Sequence, residues 1–116
     1  MPFKIVYLDD EPELCSLFKE CFSSKDILIE TFSVPDDAIV FIKKNPPDFV
    51  FLDYRLPKTT GDAVAEILDK NLPKALITGD LNLIPSYPFV ELFNKPLDIM
   101  RLQKFIDHRR QMKISL

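Results

Sequence analysis

Glycine is scarce, with two residues in a chain of 116, and that excludes a glycine-rich phosphate loop of the kind that cradles nucleotides. One histidine and two cysteines leave too few soft ligands for a zinc site, and no histidine pairs with the cysteines. Cys15 and Cys21 lie six residues apart on an expected helix, a spacing that does not put them on one face. A disulfide between them is therefore not expected, and both are read as buried free thiols of a reducing cytosol. Positive charge is not in excess: fifteen Lys and Arg stand against eighteen Asp and Glu, a formal net charge of -3. That argues against a general nucleic-acid surface, which needs a basic stripe. No apolar run is long enough to cross a bilayer, and nothing resembles a signal peptide, so the expected location is the cytoplasm and not a membrane. What is abundant is apolar residue, 47% of the chain. That is enough for one domain with a real core, expected over residues 1–116.

Apolar runs and helical stripes alternate along the whole chain. FKIVYL (3–8), ILIETF (27–32), DFVFL (48–52), KALIT (74–78) and FVELF (89–93) read as short strands. Continuous apolar runs, without polar alternation, mark strands covered on both faces. Between them lie helices expected over 12–22, from Ser33 through Phe41 and Ile42, over about 61–70, and over about 98–112. Pro12 suits the first turn of the first helix, where Leu14, Leu17, Phe18, Cys21 and Phe22 supply the apolar stripe. Ser33 with Asp36 resembles a capping box for the second. Ala63, Val64, Ile67 and Leu68 are expected inward on the third. Asp98 is the expected N-cap of the last, with Ile99, Leu102, Phe105 and Ile106 inward. The segment LNLIPSYP (81–88) holds at most a turn or two of helix, because Pro85 and Pro88 interrupt it. The expected fold class is α/β, a single doubly wound five-stranded parallel sheet with a shortened fourth helix.

In such a sheet ligands gather beyond the carboxyl ends of the strands. Asp9 and Asp10 follow the first strand, Asp53 the third, Thr78 ends the fourth and Lys95 follows the fifth. Three carboxylates in one crevice either share protons or hold a cation. An oxygen-only donor set points to a hard ion, Mg2+ above all. With a lysine and a hydroxyl beside them, they suit the formation and holding of a phosphoryl group on an aspartate.

These residues carry a resemblance. DD at 9 and 10, D at 53 with LP at 56 and 57, G at 61, T at 78 and KP at 95 and 96 resemble, in that order, the receiver domain of two-component response regulators, with its flavodoxin-like fold. The resemblance implies that Asp53 accepts phosphate from a histidine kinase or histidine phosphotransfer protein, with weak autophosphatase activity. It implies that Asp9, Asp10 and Asp53 bind Mg2+ with the backbone carbonyl of Arg55. It implies that Lys95 salt-bridges the phosphoryl group, that Thr78 moves toward it, and that the Lys95–Pro96 peptide is cis. The chain departs from the family pattern at three places. Leu92 stands where an aromatic switch residue is common, with Phe93 on the opposite face of the strand. Gly79 replaces the usual alanine after the threonine. The stretches from Asp53 to Thr78 and from Thr78 to Lys95 are short. Two alternatives follow: a degenerate receiver that binds partners constitutively, and, more remotely, a magnesium-dependent hydrolase. Leu83, Ile84 and Tyr87 either form an exposed apolar contact, a homodimer or a kinase surface, or cover the edge of the core.

Overall fold

Strands buried on both faces need helices above and below them, and the chain supplies them in strict alternation. The computed structural model describes residues 1–115. β1 (Phe3–Leu8), α1 (Pro12–Phe22), β2 (Ile27–Phe32), α2 (Pro35–Lys44) and β3 (Phe49–Asp53) are followed by a two-strand hairpin, β4 (Arg55–Leu56) and β5 (Thr59–Thr60). Then come α3 (Gly61–Ile67), β6 (Lys74–Thr78), β7 (Glu91–Asn94) and α4 (Ile99–Ser115). The main sheet has five strands in the order β2-β1-β3-β6-β7, and every neighbouring pair in it is parallel.

Alternation along each strand divides the core. Ile5 and Tyr7 of β1 and Phe49 and Phe51 of β3 join Phe18, Phe22, Leu102 and Ile106 in the layer under α1 and α4. Val6, Leu8, Val50 and Leu52 turn the other way, to Ala38, Ile42, Val64 and Ala65 under α2 and α3. Phe93 belongs to the first layer and Leu92 packs against the second, the opposite facing expected for neighbours in a strand.

Several helical details differ from the expectation. Cys15 is buried, but Cys21 is exposed, as is Leu17; the buried stripe of α1 is the narrower set Cys15, Phe18 and Phe22. The capping box at Ser33 does not form. Pro35 occupies the first turn of α2, so the N-cap falls on Val34, which has no side-chain cap. In α3, Ala63 and Ile67 face outward and Gly61, Asp62, Val64, Ala65 and Leu68 inward. The buried face is turned because Gly61 seats that helix directly on β3. The helix also stops early, at Leu68, where the backbone becomes extended. Asp98 does cap α4, its carboxylate accepting from Arg101 N at 3.1 Å; Leu102 and Ile106 are buried while Ile99 is exposed.

The shortened fourth helix is reduced to none: residues 79–90 run as turns and bends. Two buried charged groups hold this segment down. The Asp62 carboxylate accepts from Ser86 N, the Ser86 hydroxyl and Tyr87 N. Lys74 Nζ donates to the Tyr87 hydroxyl at 2.9 Å and to the carbonyls of Asp69 and Leu72, both at 2.7 Å. Of the two alternatives for Leu83 and Tyr87, the cover of the core edge holds: both pack against the second core layer with Phe89. Leu81 and Ile84 project to solvent. This packing delays β7 by two residues from the expected start at Phe89, so Lys95 follows the strand directly.

A Cβ on Gly61 would sit 2.6 Å from the Asp53 carbonyl oxygen and 2.7 Å from Leu76 Cδ1, whereas one on Gly79 meets nothing within 4 Å. Gly61→Ala is therefore expected to destabilise by about 1–3 kcal/mol, the usual cost of overpacking. Gly79→Ala should stay within about 0.5 kcal/mol of wild type. Urea unfolding followed by circular dichroism measures both, and equal midpoints for the two variants would contradict the packing argument.

Candidate functional site

The strand order reverses about β1 and β3, and the functional side chains collect at the carboxyl edge there, as the topology requires. Asp9 stays in line with β1 because its N–H donates to Phe32 O of β2 at 3.0 Å. Asp53 is the last residue of β3 and Thr78 the last of β6. Lys95 N donates to Thr78 O at 2.9 Å, which ties the lysine to the same edge, and the Lys95–Pro96 peptide is cis. Asp9, Asp53 and Thr78 are buried, while Asp10 is exposed.

Carboxylate oxygens of Asp9, Asp10 and Asp53 lie within 4.8 Å of one another. Lys95 Nζ stands 3.2 Å from Asp9 Oδ2 and 3.3 Å from Asp53 Oδ2. Asp10, Asp53, Arg55, Thr78, Gly79 and Lys95 line one open hollow of about 460 Å³. Every site residue singled out from the sequence is thus at this edge except Leu92, which lies in β7 facing the second core layer, and Pro96, just beyond Lys95. A larger hollow, about 580 Å³, lies beside Pro46, Pro47 and Pro73. It is at the opposite edge of the sheet, away from the acid cluster, and has no comparable gathering of charge.

Four further residues belong to the site. Glu11, which faces solvent, binds Lys95 Nζ through Oε2 at 2.9 Å, the shortest of that lysine's three ion pairs. Asp80 lines the same hollow, and its N–H donates to the Thr78 hydroxyl at 3.0 Å. The Tyr7 hydroxyl donates to Asp9 Oδ2 at 2.9 Å. Cys15 Sγ lies 3.2 Å from Asp9 O. The signal for Tyr7 was its place two residues before Asp9 in a strand, hence on the same face. The signal for Cys15 was its place on the first turn of α1, over the same strand end.

Burial raises the Asp53 carboxyl first, the neighbouring Asp9 charge raises it further, and Lys95 opposes both; the net is a pKa pushed up to about 7. For Lys95, burial acts against the charge, but the Glu11 hydrogen bond and the charges of Asp53 and Asp9 outweigh it and raise the pKa. Burial, then the Asp9 charge, push the Cys15 thiol up to about 11, so it is no thiolate nucleophile. An all-oxygen donor set with more negative than positive charge fits a hard divalent cation. The Asp53 carboxylate faces an open hollow with the Lys95 ammonium and the Thr78 hydroxyl at its rim, an arrangement that can accept an electrophile at a carboxylate oxygen.

Residues 5–82 match the family described as the response regulator receiver domain. Protein Rrf1 of Nitratidesulfovibrio vulgaris is 26% identical over 113 residues, covering 92% of this chain and 82% of that protein. Among solved structures, a CheY-like response regulator receiver domain from Methanospirillum hungatei superposes with a TM-score of 0.87 at 17% identity, covering 99% of this chain and 98% of that one. Another, from Methylobacillus flagellatus, gives 0.83 at 20% identity, covering 94% and 99%. At such identities these two structures speak to the fold alone.

The raised pKa of Asp53 sets the sign of a pH effect. In the unfolded chain an aspartate titrates near ~3.9; in the metal-free fold Asp53 titrates near 7. The folded state therefore holds the extra proton between these values, and stability contributed by Asp53 is lost as pH rises from about 4 through about 7. Asp53→Asn removes the charge. With a chelator present, the variant should match wild type near pH 4 and exceed it at pH 8 by an amount on the order of 2–4 kcal/mol. Urea midpoints of both proteins across that range check it; a pH-independent difference would contradict it.

Proposed function

This chain belongs to the response regulator receiver family of two-component signalling, and from that premise we propose that residues 1–116 act as one phosphorylatable switch in the cytoplasm. Its donor is a histidine kinase or histidine phosphotransfer protein. One observation carries the reading: at the sheet's carboxyl edge, Lys95 Nζ lies within 3.3 Å of both Asp53 and Asp9, with the Asp10 carboxylate beside them.

An Asp53 oxygen attacks the phosphorus of the donor's phosphohistidine. A P–O bond forms, the P–N bond breaks, and the electron pair leaves with the imidazole nitrogen, which takes up a proton. Asp9, Asp10, Asp53 and the backbone carbonyl of Arg55 are the groups that would hold Mg2+. When bound, the ion neutralises charge on the transferring phosphoryl oxygens. Lys95 meets the remaining charge. The new phosphoryl group carries roughly -1.5 to -2, so it competes with Glu11 for the ammonium. The Thr78 hydroxyl now accepts from Asp80 N; its own proton is free for a phosphoryl oxygen. Hydrolysis of the acyl phosphate by water resets Asp53.

A second reading, a degenerate receiver that binds partners without phosphorylation, is favoured by Leu92 at the usual aromatic position and by the anchored 86–87 segment. The two separate cleanly. Incubation with acetyl phosphate and magnesium should add one phosphoryl group to wild type by intact mass and none to Asp53→Asn. Asp10→Ala should bind magnesium at least roughly ten-fold more weakly by calorimetry, because a hard cation needs its charged oxygen ligands. Absence of the mass shift, with magnesium binding retained, selects the second reading.

A further inference from the structure

The buried face of β1 ends in a group that a simple core would not need. Tyr7 is fully buried, in a strand whose other inward residues are Phe, Ile, Val and Leu. A phenylalanine would fill the ring's volume without a polar tip to satisfy. Burying a hydroxyl costs free energy unless it is paired, and the Tyr7 hydroxyl is paired not with a backbone carbonyl but with the most buried acid of the site, Asp9 Oδ2, at 2.9 Å.

We propose that Tyr7 is the positioning residue of the acidic site, its hydroxyl fixing the orientation of the Asp9 carboxylate and thereby the cation affinity of the cluster. The Asp9 carboxylate is held from three directions. Glu11 N donates to Oδ1 at 3.0 Å from the entry to α1. Lys95 Nζ approaches Oδ2 at 3.2 Å from the end of β7. The Tyr7 hydroxyl reaches the same oxygen from within the sheet. Its ring cannot yield: it stacks on Phe18 with centroids 4.2 Å apart and planes 19° from parallel, and Phe18 in turn meets Phe22 and Phe51. Cys15 Sγ, 3.2 Å from Asp9 O, steadies the backbone of the same residue.

Without the hydroxyl, Lys95 is the only partner left to Oδ2, and the carboxylate turns toward it. That draws Lys95 from Asp53 and takes Asp9 out of the geometry a cation needs. Hydrogen bonds to ligating groups from outside the coordination sphere typically carry ten-fold or more in metal affinity. The inference rests on the proposed cation site, but magnesium is its only probe, so a chain that accepts no phosphoryl group leaves the test intact.

The experiment compares Tyr7→Phe, which keeps the ring and its stacking, with Phe18→Leu, which loosens the stacking and keeps the hydroxyl. Calorimetry with magnesium chloride should show roughly ten-fold weaker binding in Tyr7→Phe and a clearly smaller loss in Phe18→Leu, where the hydroxyl is still present to reach Asp9. In unmutated protein, the Tyr7 Cζ resonance should shift along the same isotherm as magnesium binding, a readout that does not depend on any variant folding. Equal affinity in wild type and Tyr7→Phe overturns the proposal. So does an equal loss in both variants, a Tyr7 resonance that ignores magnesium, or the absence of saturable magnesium binding in wild type.

Discussion

One ammonium group is shared by three carboxylates at the edge of the sheet, and most of what the site does follows from that imbalance. Lys95 contacts Asp9, Glu11 and Asp53 within 3.3 Å, while Asp10 stands nearby with no ion pair among the described residues. Charges this close, with two of the acids buried, interact far more strongly than they would in water. The lysine cannot neutralise them all. Burial first, and then the unneutralised Asp9 charge, make Asp53 hold its proton, and the same excess of negative charge makes a divalent cation fit. Glu11 matters because it is the member in contact with solvent. It can release Lys95 at little desolvation cost, and Asp9 cannot.

The fold exists to hold that imbalance in place. The sheet brings four strand ends to one edge, and its two aromatic and aliphatic layers leave the site no freedom from below. Gly61 shows how tight the arrangement is: α3 begins against the Asp53 carbonyl, and Gly61 N donates to Tyr54 O at 2.8 Å. A larger residue would press on the backbone that carries the Asp53 carboxylate, not only on the helix. The acidic edge is therefore a property of packing around it as much as of the acids themselves.

Strand periodicity was enough to read the sheet, because burial on both faces writes itself as continuous apolar runs. Asp9, Asp10, Asp53, Thr78 and Lys95 could be assigned to one edge for the same reason: a parallel sheet has only one carboxyl side. Helix faces were less legible. The buried side of α3 depends on Gly61 meeting β3 at Asp53, a close contact between residues apart in sequence that the local pattern of the helix does not show. Cys21 looked buried because its residue type usually is, while the actual stripe of α1 passes through Cys15, Phe18 and Phe22. Glu11 is exposed, but its pairing with Lys95 was not legible, because an exposed acid after a strand carries no sign of which cation it meets. Tyr7 was read as one more apolar strand residue, its hydroxyl having no visible partner until the strand's direction toward Asp9 is considered.

The stretch after Thr78 shows how a missing helix can be replaced without leaving the segment loose. Asp62 and Lys74 are both buried charges, and groups of that kind are retained only when hydrogen-bonded. Here one side of the Asp62 carboxylate takes three donors from Ser86 and Tyr87, leaving Oδ1 without a partner, and Lys74 spends all three of its protons on Asp69, Leu72 and Tyr87. The far end of the segment is thereby fixed to α3 and β6. Its near end is coupled to the site through the bond from Asp80 N to the Thr78 hydroxyl. A chain held at 86–87 and pulled at 78–80 can change shape only between those points. The exposed apolar side chains there are Leu81 and Ile84, on residues bounded by the proline at 85. Displacement of the Thr78 hydroxyl would break its bond to Asp80 N, the one direct link from the site into this segment among the described hydrogen bonds. Leu92 lies beyond that anchor, packed against the second core layer, and no aromatic ring stands at that position to turn.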